Sequence, residues 1–140
     1  MLTPQGPVSI EKLSAGAPIY SWDTGKNELV PARVGLLRKR TSDGLLKITF
    51  SNGSVLQTTL EHPFYDPGTD TYKPIENFKA GDSVFFVENP QKKGVTLQIQ
   101  SIEKVPGSAT VYTISVDGKF QNFFADGVLV HNKCPSNPCT

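Results

Sequence analysis

What this chain lacks narrows its class before any motif does. Its 140 residues include two cysteines, Cys134 and Cys139, both within the last seven positions. The body therefore has no disulfide framework and must hold itself together by burying a core, which a chain of this length can do. Neither sign of charge dominates: 14 Lys and Arg stand against 13 Asp and Glu, a formal net charge of +1. That balance leaves no electrostatic footprint for nucleic acid or an anionic membrane, and no partner of either kind is expected. The basic groups Arg38-Lys39-Arg40 and Lys92-Lys93 read as solvated loops or strand ends. No apolar run approaches the ~20 residues of a membrane-spanning helix. The N-terminus carries no signal-peptide pattern. Only two histidines occur, His62 and His131. With the tail cysteines they fall short of a persuasive zinc set, so neither a metal nor a cofactor is expected.

What the chain has in quantity is punctuation, with 12 Gly and 11 Pro between short apolar or alternating runs. Val8 to Ile10, Ala17 to Trp22 and Val30 to Leu37 are such runs, as are Ser83 to Val87, Val95 to Val105 and Val111 to Val116. Leu45 to Phe50 and Val55 to Thr59 flank Ser51-Asn52-Gly53-Ser54, a strong hairpin signal. Only Ser9 to Ser14 and Ile75 to Ala80 suit brief helical turns. Many short, regularly spaced strands predict an all-β domain. An internal echo sharpens this. Pro7 to Gly16 and Lys73 to Asp82 each run from a proline through Ile-Glu and an apolar anchor to Ala-Gly before a strand. Two weak copies are too few for a solenoid, so a pseudo-twofold domain made by duplication is expected.

The chemistry lies in two short segments. His131-Asn132 ends the apolar, strand-like run from Phe123 to Val130. An asparagine side-chain amide can attack its own backbone carbonyl, forming a succinimide and expelling the next residue as an amine. An adjacent histidine can protonate that leaving nitrogen, general acid-base help worth ~10²–10⁴-fold, and a rigid strand adds an orientation term. Taken alone, the pair reads more readily as a surface turn. Likewise His62 alone is a turn histidine before Pro63, and Thr59 alone is strand filler.

The ordered set of segments carries more than any one of them. Thr3 to Gly6 with Ile10 to Leu13 and Gly16, then Thr59-Leu60-Glu61-His62, then Val111 to Val116 with Asn122 to Ala125, then Asp126 to Asn132 follow one another along the chain. In this order they resemble the Hint domain, the fold shared by hedgehog autoprocessing domains, inteins and bacterial intein-like modules. The resemblance implies a compact pseudo-twofold, horseshoe-like β-rich fold over residues 1–132, with 133–140 as a flanking tail. It implies that His62 polarises or protonates the N-terminal scissile amide, that Thr59 orients it, and that Asn132 cyclises with help from His131.

Departures from the family pattern carry equal weight. A Hint domain opens with a catalytic Cys or Ser, and here Met1 has no nucleophile to offer. Aligned on Thr3 to Gly6, that nucleophile falls upstream of Met1. A first strand carried on a separate N-terminal piece, natural or engineered, or lost by truncation, fits better than Cys replaced by Met. The expected partners are thus a complementing N-terminal peptide bearing the missing Cys and the flanking polypeptides in cis. Inteins also need Cys, Ser or Thr after the final Asn, whereas this chain has Lys133, an amine mostly protonated at neutral pH. Gln121 stands where relatives often carry His, and Thr113 where they often carry Asp. The combination resembles bacterial intein-like or toxin-associated Hint domains, which often favour cleavage over splicing.

Overall fold

A computed structural model describes residues 1–131, so the expectations for Asn132, Lys133, Cys134 and Cys139 lie outside the described residues. In chain order the strands are β1 (Leu2–Thr3), β2 (Gly6–Pro7), β3 (Pro18–Asp23), β4 (Glu28–Phe50), β5 (Val55–Thr58), β6 (Pro63–Asp66), β7 (Thr71–Pro74), β8 (Ser83–Phe86), β9 (Val95–Asp117), β10 (Asn122–Ala125) and β11 (Val128–His131). Two single 3₁₀ turns, Ile10–Lys12 and Ile75–Asn77, complete the list. The domain is all-β, as its punctuation requires. β1 and β2 form a small ribbon. The other strands form an antiparallel sheet in the order β3-β4-β9-β8-β11-β6-β7, with β5 added to β4 and β10 to β11.

Period-two burial builds the core. Leu46, Ile48 and Phe50 of β4 are buried while Lys47 and Thr49 between them are not, the alternation that a half-covered strand demands. Leu97 and Ile99 repeat it in β9. Ile48, Ile75, Val84 and Val130 are fully enclosed, each adding about 1.5–3 kcal/mol of transfer free energy. A second, smaller cluster gathers Leu2, Trp22, Val87, Phe124 and Leu129.

The echo is a true structural repeat. Ile10 and Ile75 open the two 3₁₀ turns, and Leu13 and Phe78 close them by donating N–H to the Ile carbonyls at 3.1 and 3.0 Å. Gly16 N–H donates to Val34 at 2.7 Å, and Gly81 N–H to Ile99 at 2.8 Å. The strands that follow keep step: Ile19 pairs with Ala32 as Val84 pairs with Leu97. Each counterpart stands 65 residues later than its partner.

Three differences from the sequence reading have clear physical causes. Val30–Leu37 and Leu45–Phe50 belong to one strand, β4, and Val95–Val105 and Val111–Val116 to one strand, β9. Between them Arg38–Asp43 pairs with Ser108–Thr113 as an exposed two-stranded ribbon, which has no inner face and so shows no apolar alternation. The ladder slips between Asp43 and Leu45, where Gly44 (φ 84°) and Gly107 (φ 90°) absorb the irregularity opposite Pro106. The run Phe123–Val130 is not one strand but a hairpin. Asp126 (φ 47°) and Gly127 (φ 85°) form its two-residue turn, the left-handed pair that an Asp-Gly hairpin uses. Finally, β6 and β7 are strands that the sequence reading did not anticipate, since Pro63 and Pro74 bound them.

Candidate active site

The Thr59–His62 segment is a tight turn at the end of β5. Thr59 is buried, and the His62 N–H approaches the Thr59 carbonyl at 3.4 Å. The second 3₁₀ turn clamps this segment from outside. Ile75 N–H donates to the His62 carbonyl and Glu76 N–H to the Leu60 carbonyl, both at 3.0 Å. Arg40 of the exposed ribbon reaches Glu61 at 3.3 Å, a solvent-facing pair that adds little stability.

The half-buried His62 ring meets Phe64 and Phe123 edge-on, with centroids 5.8 and 6.1 Å away. Phe123 pairs across the hairpin with Val130, which also pairs with Phe64. The Thr59–His62 turn is thereby packed against the hairpin that ends at His131. A cleft of about 680 Å³ opens here, with Met1, Thr59, His62, Thr113, Phe123, Asp126 and Val130 among its walls. The Met1 α-amine donates to the Val8 carbonyl; burial lowers its pKa, and the Asp126 carboxylate opposes that shift.

Of the expected site residues, Thr59 and His62 meet in this cleft. His131 does not line it. Successive strand residues face opposite sides, and Val130 takes the cleft side. His131 instead packs on Tyr72, ring centroids 4.9 Å apart at 65°. Asn132 lies outside the described residues.

Two residues at this corner had been given no role. Asn122 is 1% exposed and sits opposite His131 in the β10–β11 register. Its Oδ1 accepts from Trp22 N–H at 2.8 Å, and its Nδ2 donates to the Trp22 carbonyl at 3.0 Å and to the Tyr72 hydroxyl at 2.9 Å. Burial raises the Tyr72 pKa against the lowering effect of that hydrogen bond, and the Asp70 carboxylate adds to the rise. No local signal marked Asn122, because an Asn beside Phe123-Phe124 reads as an exposed residue until the fold shows it buried. Among the described residues no group of three His, Cys, Asp or Glu side chains could hold a metal ion.

An all-β duplication with a Thr-x-x-His turn packed on a terminal hairpin defines a Hint domain. The chain belongs to the pretoxin Hint family, whose family model matches residues 1–133. Solved structures agree. The bacterial intein-like domain from Clostridium thermocellum is 26% identical, with a TM-score of 0.81 over 94% of this chain and 93% of that one. The TvoVMA intein is 25% identical, with a TM-score of 0.74 over 86% of this chain and 72% of that one. The gp41-1 intein, at 23% identity and a TM-score of 0.72 over 93% and 91% of the two chains, shares the fold. No curated protein matches. Family membership supports an autoprocessing function of the protein-splicing type.

Proposed function

We propose that this domain cleaves its own chain between Asn132 and Lys133. The Asn132 side-chain nitrogen attacks the Asn132 carbonyl carbon, and the bond to the Lys133 nitrogen breaks. The proton lost by the attacking amide is balanced by one delivered to the departing amine, with His131 as the donor. The products are a C-terminal succinimide and a free Lys133 α-amine, and no water is consumed. The observation that carries this reading is the contact of His62 with Phe123, which joins the Thr-x-x-His turn to the hairpin ending at His131. Lys133 offers no hydroxyl or thiol to accept an acyl group, which favours cleavage over splicing.

A chain extended beyond Thr140 provides the test. Incubation should yield a fragment with the mass of residues 1–132 less one water relative to the free acid. Asn132→Ala should abolish it. Persistence of the intact chain, both alone and with a Cys-bearing N-terminal peptide, would refute the reading.

A second reading is favoured by β5, which among the described residues pairs with β4 alone while Leu56, Thr58 and Thr59 line the cleft. A strand with one open edge beside a cleft can take up an extended peptide through backbone hydrogen bonds. We propose that the occupant is an N-terminal segment bearing the nucleophilic Cys, whose scissile amide Thr59 and His62 would then serve. A Cys-bearing peptide of about ten residues should bind and raise the melting temperature. Absence of both effects excludes capture and leaves the C-terminal reaction standing.

A further inference from the structure

Asn122 and Tyr72 bind together three parts of the domain at the point where β11 ends. Asn122 acts as an extra ladder rung for β3, since its amide satisfies both the N–H and the C=O of Trp22. Ser21 adds a bond from its Oγ to the Asn122 carbonyl at 2.7 Å. This pattern leaves one orientation for the amide: Oδ1 must face the Trp22 N–H, and Nδ2 must face its carbonyl. The second Nδ2 hydrogen is then aimed at the Tyr72 hydroxyl. Tyr72 reaches this point from β7, opposite Tyr65, and its ring packs edge-on against the His131 imidazole. One buried residue thus governs His131 twice, through the backbone pair across β10–β11 and through the ring that it anchors.

We infer that Tyr72 is a positioning residue for His131, its ring setting the orientation of the imidazole and its hydroxyl fixed by Asn122. The inference rests on the role proposed above for His131. A proton donor must point at the leaving nitrogen as the bond breaks, and a displacement of about 1 Å can cost about 10²-fold in rate. An exposed imidazole on a strand end would sample several rotamers; one packed against a tilted ring samples fewer. The Tyr72 hydroxyl, a phenol of ordinary pKa about 10, is protonated at neutral pH and so a neutral partner for Asn122.

Two measurements test this, one of which needs no cleavage. In the extended chain, Tyr72→Leu should slow release of the C-terminal segment by roughly 10²-fold, and Tyr72→Phe, which keeps the ring, should restore most of that rate. The His131 side-chain torsion, read by NMR from three-bond couplings in the unextended chain, should average over several rotamers in Tyr72→Leu and stay in its original single rotamer in Tyr72→Phe. A purely structural tyrosine would behave otherwise: rate would follow melting temperature in both variants and the His131 signals would not separate them. That result, or Tyr72→Leu cleaving at the original rate while folded, overturns the inference. Should Tyr72→Leu fail to fold, Tyr72→Met replaces it, since methionine adapts to irregular space. If the unaltered chain does not cleave, the proposed reaction fails, and the NMR comparison still decides whether Tyr72 orients His131.

Discussion

The strap from Ser9 to Gly16 and the strap from Pro74 to Gly81 share the hydrogen bonds that close their 3₁₀ turns and glycine corners yet bury different shares of themselves. Ile75 is fully enclosed and Phe78 nearly so, whereas their counterparts Ile10 and Leu13 are only partly covered. The first strap borders the cleft with Ser9, Ile10 and Glu11. The second seats its Ile75 in the core and presents its N–H groups to Leu60 and His62. Duplication supplied one hydrogen-bonded frame twice, and side-chain size then divided the labour. The buried copy holds the Thr-x-x-His turn rigid; the exposed copy frames an opening.

The largest test of this asymmetry compares the two isoleucines. Ile75→Ala should cost about 2–5 kcal/mol, because it leaves a cavity that a strap bonded at both ends cannot close. Ile10→Ala should cost about 1 kcal/mol, as a half-covered side chain has less area to lose. Urea unfolding at a shared slope measures both. Equal losses would break the comparison.

The frame itself should prove symmetric. Gly16 (φ 86°) and Gly81 (φ 95°) both turn the chain into the following strand, and a Cβ added at either would meet no atom within 4 Å. Substitution by Ala therefore tests backbone strain alone. Each of Gly16→Ala and Gly81→Ala should cost about 1–2 kcal/mol, the penalty for a left-handed residue with a Cβ. The two losses should agree within a few tenths. A clear inequality would show that the burial of neighbouring side chains, and not φ, sets the cost at these corners.

How much of this was legible follows from where the signals came from. The repeat was readable because Pro, Ile-Glu and Ala-Gly each do local work, in a turn, an anchor and a left-handed corner. Thr59 and His62 became candidates only through the ordered family segments that the chain resembles, since alone they read as strand filler and a turn histidine before Pro63. The Asp126-Gly127 hairpin was hidden by its apolar flanks, although Asp-Gly is itself a turn signal. The exposed ribbon Arg38–Asp43 was hidden because a two-stranded ribbon buries no face. Tyr72 and Asn122 were out of reach for another reason. Their meeting depends on β10 pairing with β11 while β7 lies beyond β6 on the other side, a fact of topology that no local pattern encodes.

The smallest effect concerns the ribbons that precede each strap. The β1–β2 turn is held by a neutral side chain: Thr3 Oγ1 accepts from Gln5 N–H at 3.2 Å and donates to the Gly6 carbonyl at 2.6 Å. The β6–β7 turn is held by a charged one, since Asp66 accepts from Gly68 N–H at 2.9 Å and meets Lys73 at 3.2 Å. Burial pushes the Asp66 pKa up, but the Gly68 N–H, the bond and charge of Lys73, and Thr69 outweigh it, so the folded value lies below the ordinary one. A group with a depressed folded pKa contributes fully above its unfolded pKa, about 4 for Asp, and loses that contribution as pH falls through the folded value. Asp66→Asn keeps an acceptor for Gly68 and removes only the charge. At pH 7 it should cost less than about 1 kcal/mol, because water screens a pair this close to the surface. The gap to the unaltered chain should close as urea midpoints are followed below pH 4. Thr3→Val supplies the contrast, for its cost has no proton to depend on and should stay flat over the same range. A constant Asp66→Asn gap down to pH 2 would place the stabilisation in shape rather than charge, and the two ribbons would then differ in composition alone.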